Sequence, residues 1–123
     1  MMLRSAFLAL VLAGCAAAPA QQPQHSTTGC DLKVEFASIG TGIDRAVLEK
    51  VDALLSGDKG VSTIGREPWG REGEITLCVA TVSEADAARL FGQVKALFPA
   101  MTEKPLRVEA RTGQSYYAPT ALP

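Results

Sequence analysis

The sequence predicts an α+β sandwich, a four-stranded antiparallel sheet carrying two helices on one face, in the order β-α-β-β-α-β. Three observations predict it. Segments that alternate apolar and polar residues recur, as half-buried strands require. Two longer segments carry apolar residues at helical spacing behind a hydroxyl-and-carboxylate start signal. The first β-α unit also repeats in the second: Leu32, Val34, Phe36, Val47, Leu48, Val51, Leu54 and Leu55 fall in register on Ile75, Leu77, Val79, Leu90, Phe91, Val94, Leu97 and Phe98.

In chain order, residues 31–38 (DLKVEFAS) set Leu32, Val34 and Phe36 against Lys33 and Glu35, a first strand. Thr41-Gly42-Ile43-Asp44 resembles a capping box and opens a helix with Val47, Leu48, Val51, Leu54 and Leu55 on its stripe, stopped at Gly57. Residues 61–66 (VSTIGR) read as a weaker second strand, residues 67–73 (EPWGREG) as a turn, and residues 74–80 (EITLCVA) as a third strand. Ser83-Glu84-Ala85-Asp86 is a second capping box, before a helix that Pro99 ends. Residues 106–112 (LRVEART) alternate again. Two β-α-β halves with right-handed crossovers give a ferredoxin-like sheet in the order 4-1-3-2. Its open face would carry Lys33, Glu35, Thr76, Cys78, Arg107, Glu109 and Arg111.

Ahead of this domain the chain reads as an export address. Arg4 supplies a positive n-region, and residues 6–12 (AFLALVL) form an apolar run too short to span a bilayer. Leu12-Ala13-Gly14-Cys15 then resembles the lipobox of bacterial lipoproteins, an aliphatic residue and two small ones before a cysteine. That resemblance implies cleavage before Cys15 and acylation of its thiol, with the membrane as partner through the acyl chains. Ala16, in place of an aspartate, implies the outer membrane facing the periplasm in a Gram-negative envelope. The plain alternative is an ordinary signal with an Ala-x-Ala site at Ala16-Ala17-Ala18. The expected divisions are a signal peptide over 1–14, lipidated Cys15 and a flexible tether over 15–28, the domain over 29–113 and a tail over 114–123. The tether holds His25, the only histidine of the 123 residues.

Assigning Cys15 to lipid leaves Cys30, which begins the first strand, and Cys78, which lies late in the third. Export favours a disulfide between these antiparallel neighbours. Their parity opposes it, because Cys30 shares the inward phase of Leu32 and Cys78 the outward phase of Thr76. A bond therefore requires Cys30 to lie outside the ladder or a bulge to shift it, and otherwise the two thiols stay separate.

The chemistry of the domain is constrained by what it lacks. A net charge of −1 and 6% aromatic residues offer neither a phosphate footprint nor a base-stacking platform, so no nucleic-acid partner is expected. The domain has no histidine for a nucleophile pair and no Cys-x-x-Cys, and we expect neither enzyme activity, metal nor cofactor. Gly40-Thr41-Gly42 before a helix reads first as a capping turn and second as an anion cradle. Glu72 and Glu74 flank a turn and read as solvated. The remaining candidate for partner binding is the hairpin loop holding Arg66, Trp69 and Arg71, since Trp and Arg concentrate at binding hot spots. Its alternative is a Trp69 folded back over the sheet.

The sequence therefore points to a lipid-anchored envelope protein with a small non-catalytic binding or scaffold domain, its partner an envelope protein. From about Leu32 to Thr112 the pattern is also similar to the SPOR class of envelope modules, which implies peptidoglycan as the partner. An acylphosphatase-like enzyme would need an arginine in the loop after the first strand, and none precedes Arg45.

Overall fold

A computed structural model describes residues 29–121. The expected signal peptide, Cys15 and the tether lie outside the described residues. The elements are β1 (Leu32–Phe36), α1 (Arg45–Ser56), β2 (Val61–Pro68), β3 (Ile75–Thr81), α2 (Glu84–Leu97), β4 (Leu106–Ala110) and β5 (Ser115–Tyr117). The domain is α+β, with two helices and one five-stranded antiparallel sheet in the order β2-β3-β1-β4-β5.

The expected four-stranded sheet is corrected to five. The extra strand comes from residues 114–123, expected as a tail. The chain turns at Thr112-Gly113 and lays Ser115, Tyr116 and Tyr117 opposite Glu109, Val108 and Arg107. Tyr116 thereby joins the inward phase of Val108 and packs on the core, and Ala118 behind it is buried. Burying these two side chains stabilises the return of the chain along the β4 edge.

Alternation places the core as the sequence predicts. Leu32, Val34 and Phe36 of β1, Leu77 and Val79 of β3, and Leu106 and Val108 of β4 are buried on one face. They form one cluster with Val47, Val51 and Leu55 of α1 and Leu90, Phe91 and Val94 of α2, so both helices cover the same side. Each fully buried Leu or Val contributes roughly 1.5–3 kcal/mol of transfer free energy. The pairs Glu35↔Thr76, Glu35↔Arg107, Lys33↔Cys78 and Lys33↔Glu109 put the polar phase on the opposite face.

The helix starts differ from each other. Ser83 caps α2 as expected, its Oγ accepting the Asp86 N–H at 3.1 Å. At α1 the cap is Asp44 and not Thr41: Asp44 Oδ1 accepts the Val47 N–H at 3.1 Å. Gly40 and Gly42 both take positive φ, so residues 40–42 belong to the loop and the helix begins after them.

Cys30 and Cys78 are joined as a disulfide, with Cα atoms 5.1 Å apart. Cys30 precedes the ladder, and the parity conflict is relieved by a one-residue slip. Leu32 is the ladder partner of Val79, yet it is the Asp31 N–H that donates to the Val79 carbonyl, at 2.9 Å. The Asp31 carboxylate then accepts the Thr81 N–H at 2.8 Å, taking a bond the ladder would have made.

Candidate functional site

Pairing fixes the two ends of the sheet. Phe36 lies opposite both Ile75 and Leu106, so the β1–α1 loop, the β2–β3 hairpin and the α2–β4 loop all leave from one end. Gly29 and the disulfide lie at the other end, beside Thr81 and Arg111.

The hairpin candidate divides between the two faces. Arg66 lies on the helix side, where its guanidinium pairs with Asp52 of α1. Trp69 turns back to the open face: its Nε1–H donates to Thr76 Oγ1 at 3.0 Å, while the side chain stays 41% exposed. Arg71 is exposed at the turn. The three side chains do not converge on one point, and only Trp69 and Arg71 are presented at the loop end.

The Gly40-Thr41-Gly42 loop does hold an anion, and it is the chain's own. Glu72 Oε2 accepts the Ser38 hydroxyl at 2.9 Å and the Gly42 N–H at 3.2 Å, while Ser38 Oγ accepts the Gly40 and Gly42 N–H groups at 3.1 and 2.9 Å. Glu74, expected to be solvated, is only 8% exposed and accepts the Glu72 N–H at 2.7 Å. Gly70 lies directly above it at φ +67°, where a Cβ would stand 2.5 Å from Glu74 Oε2. The acidic pair is thus structural. Glu74 shapes the hairpin and Glu72 ties it to the β1–α1 loop.

A second set of bonds extends this bracing. Ala37 N–H donates to the Pro105 carbonyl at 3.0 Å, and Lys104 Nζ to the Ile43 carbonyl at 3.3 Å. Thr102 N–H donates to the Pro119 carbonyl at 3.0 Å. The loop end is therefore a cross-linked rim. It presents Ile39, 53% exposed, and Met101, 64% exposed, at the same end of the sheet as Trp69. Sequence reading missed Ile39 and Met101 because each is a single apolar residue in a loop, outside any periodic run. The signal that finds them is topological: sequence-distant loops share one end only once strand order is known.

The open face is internally neutralised. Lys33 pairs with Glu109 at 3.3 Å, Arg107 with Glu35 at 3.9 Å and with Glu109, and Arg111 with Asp31 at 3.5 Å. The Tyr117 ring covers the Arg107 guanidinium, 4.5 Å from its centroid. A hollow of about 90 Å³ beside them is lined by Glu35, Ala37, Pro105, Leu106, Arg107 and Tyr117. Among the described residues no group of three or more His, Cys, Asp or Glu side chains is placed to hold a metal ion, and no helix is long and apolar enough to cross a membrane. Set against known protein families, curated proteins and solved structures, the chain finds no match.

Proposed function

We propose that this protein is a bacterial envelope lipoprotein: acyl chains on Cys15 hold it to a membrane, and residues 29–121 form a non-catalytic binding or scaffold domain facing the periplasm. The observation that carries the reading is the Cys30–Cys78 disulfide. Such bonds persist where the surroundings are oxidising, the compartment to which an exported chain is delivered. Its position supports the same reading, because the covalent staple lies where the chain emerges from the tether. The fold is read as ferredoxin-like, with β5 appended to the β4 edge of the 4-1-3-2 sheet. Binding belongs to the loop end, where apolar side chains are exposed on a braced frame, and the paired charges of the open face hold the sheet.

Metabolic labelling with radioactive palmitate in a bacterial host tests the anchor. The wild-type chain is expected to take up label and to sediment with membranes. Cys15→Ser is expected to abolish both while leaving the disulfide formed. Label retained by Cys15→Ser, or a wild-type chain released in soluble form, overturns the proposal.

A further inference from the structure

We infer that the loop end of the sheet is a self-association surface, and that its partner is a second copy of this chain related by a two-fold axis. The inference goes beyond lipid tethering and does not depend on acylation of Cys15.

Strand order lays the rim out in a line. The β2–β3 hairpin, with Trp69 and Arg71, stands on one side of the β1–α1 loop with Ile39; the α2–β4 loop, with Met101 and Glu103, stands on the other. A two-fold axis near Ile39 superposes the hairpin of each copy on the α2–β4 loop of the other. Trp69 then meets Met101 of the second copy, an aromatic–thioether contact. Arg71 meets Glu103, and Ile39 meets its own equivalent. Trp69 and Arg71 on one side thus answer Met101 and Glu103 on the other, the self-complementarity an isologous contact demands.

Two charges of this surface are open to pairing across the contact. Arg71 and Glu103 are both exposed, and neither forms an ion pair among the described residues. The acids and bases of the open face, by contrast, are joined to one another. The apolar side chains agree, since Ile39, Trp69 and Met101 are three of the five large hydrophobic residues left exposed among the described residues. The bonds between loops hold the rim in one shape before contact, which lowers the ordering cost of association. Gly29 leaves from the far end of the sheet, and attachment of two copies to one membrane would raise their effective concentration.

Sedimentation velocity of the full chain, disulfide intact, in a non-ionic detergent across a concentration series tests this. The expected result is a reversible monomer–dimer equilibrium. Ile39→Asp and Met101→Glu are each expected to weaken it by about tenfold or more. Arg71→Glu and Glu103→Arg are each expected to weaken it, and the double exchange to restore it. Thermal midpoints of these variants serve as the fold control; Met101→Glu is used in place of a Trp69 variant because Trp69 also bonds Thr76. A monomer at every concentration, dimerisation that all rim variants retain, or a double exchange that fails to rescue would each overturn the inference.

Discussion

Asp58 accepts two hydrogen bonds from the Arg89 guanidinium, at 2.8 and 2.7 Å, and one from the Gly60 N–H at 2.8 Å. These bonds, the Arg89 contact foremost, hold its carboxyl down to about 2 from the ordinary 3.8. Asp86 is lowered as well, first by the Ser83 hydroxyl and then by Arg89. The cluster ties the start of α2 to the α1–β2 turn, and Gly60 leaves it room: a Cβ there would stand 2.6 Å from Asp86 Oδ1. A carboxyl with a depressed folded-state pKa stabilises the fold fully above its unfolded value and loses that contribution as pH falls. For Asp58 the window runs from about pH 3.8 down to about pH 2. Asp58→Asn is expected to lower the thermal midpoint at neutral pH, and the gap to wild type is expected to close across that window. Calorimetry of both proteins at pH 7, 4, 3 and 2 checks it; a gap constant with pH would mean that Asp58 acts through shape and not charge. Nothing in the sequence announced this cluster, since its three charges sit in two segments that the capping signals explain without reference to each other.

Among the elements, β1, β3, β4 and both helices were legible because each buries one phase of a regular alternation, and the period alone assigns the face. The strand β5 was not. It has three residues, one of them inward, so it offers no alternation to read. Its place follows instead from the packing of Tyr116 against Phe98, ring centroids 6.3 Å apart, and from Lys95 lying 4.5 Å over the Tyr116 ring. The cap of α1 was misread for a related reason: Thr41 and Asp44 are both capping residue types, and only the loop's positive φ values decide between them. Deletion of residues 114–123 is expected to cost about 3 kcal/mol in urea unfolding, the scale of losing one large aromatic contact and a buried alanine. Amide exchange should rise most at Ala110, whose N–H donates to the Gln114 carbonyl at 2.8 Å, while β1 stays protected between β3 and β4. Uniform loss of protection would show that β5 is needed by the whole sheet and not only by its edge.

At the scale of the molecule, the disulfide joins residues 48 apart and closes a loop that contains β1, α1, β2 and the first half of β3. The chain-entropy relation gives a loop of that size about 4 kcal/mol of stabilisation. Cys30→Ser with Cys78→Ser should lose about that much in urea unfolding, and reduction of the wild type should reproduce the loss; a difference under about 1 kcal/mol would place the stabilisation elsewhere. The pair itself was legible as a candidate from strand order. So was its condition, that Cys30 lie outside the ladder; what alternation does not encode is the Asp31 carboxylate that takes up the Thr81 N–H there. The loop end was half legible in the same sense: Trp69 and Arg71 stood out by type, while Ile39, Met101 and Glu103 acquire meaning only from their neighbours across the sheet. One consequence of the disulfide is mechanical. A pull arriving through the N-terminus passes from Gly29 into Cys30 and at once across a covalent bond into β3, so β1 is not peeled from its neighbours. Under tension between the two ends, the 48-residue interval cannot pay out, which withholds about 170 Å of contour length. The domain would lengthen only through the residues that follow Cys78, so a pull from both ends would load α2 and β4 and leave the β1–α1–β2 interval free of tension.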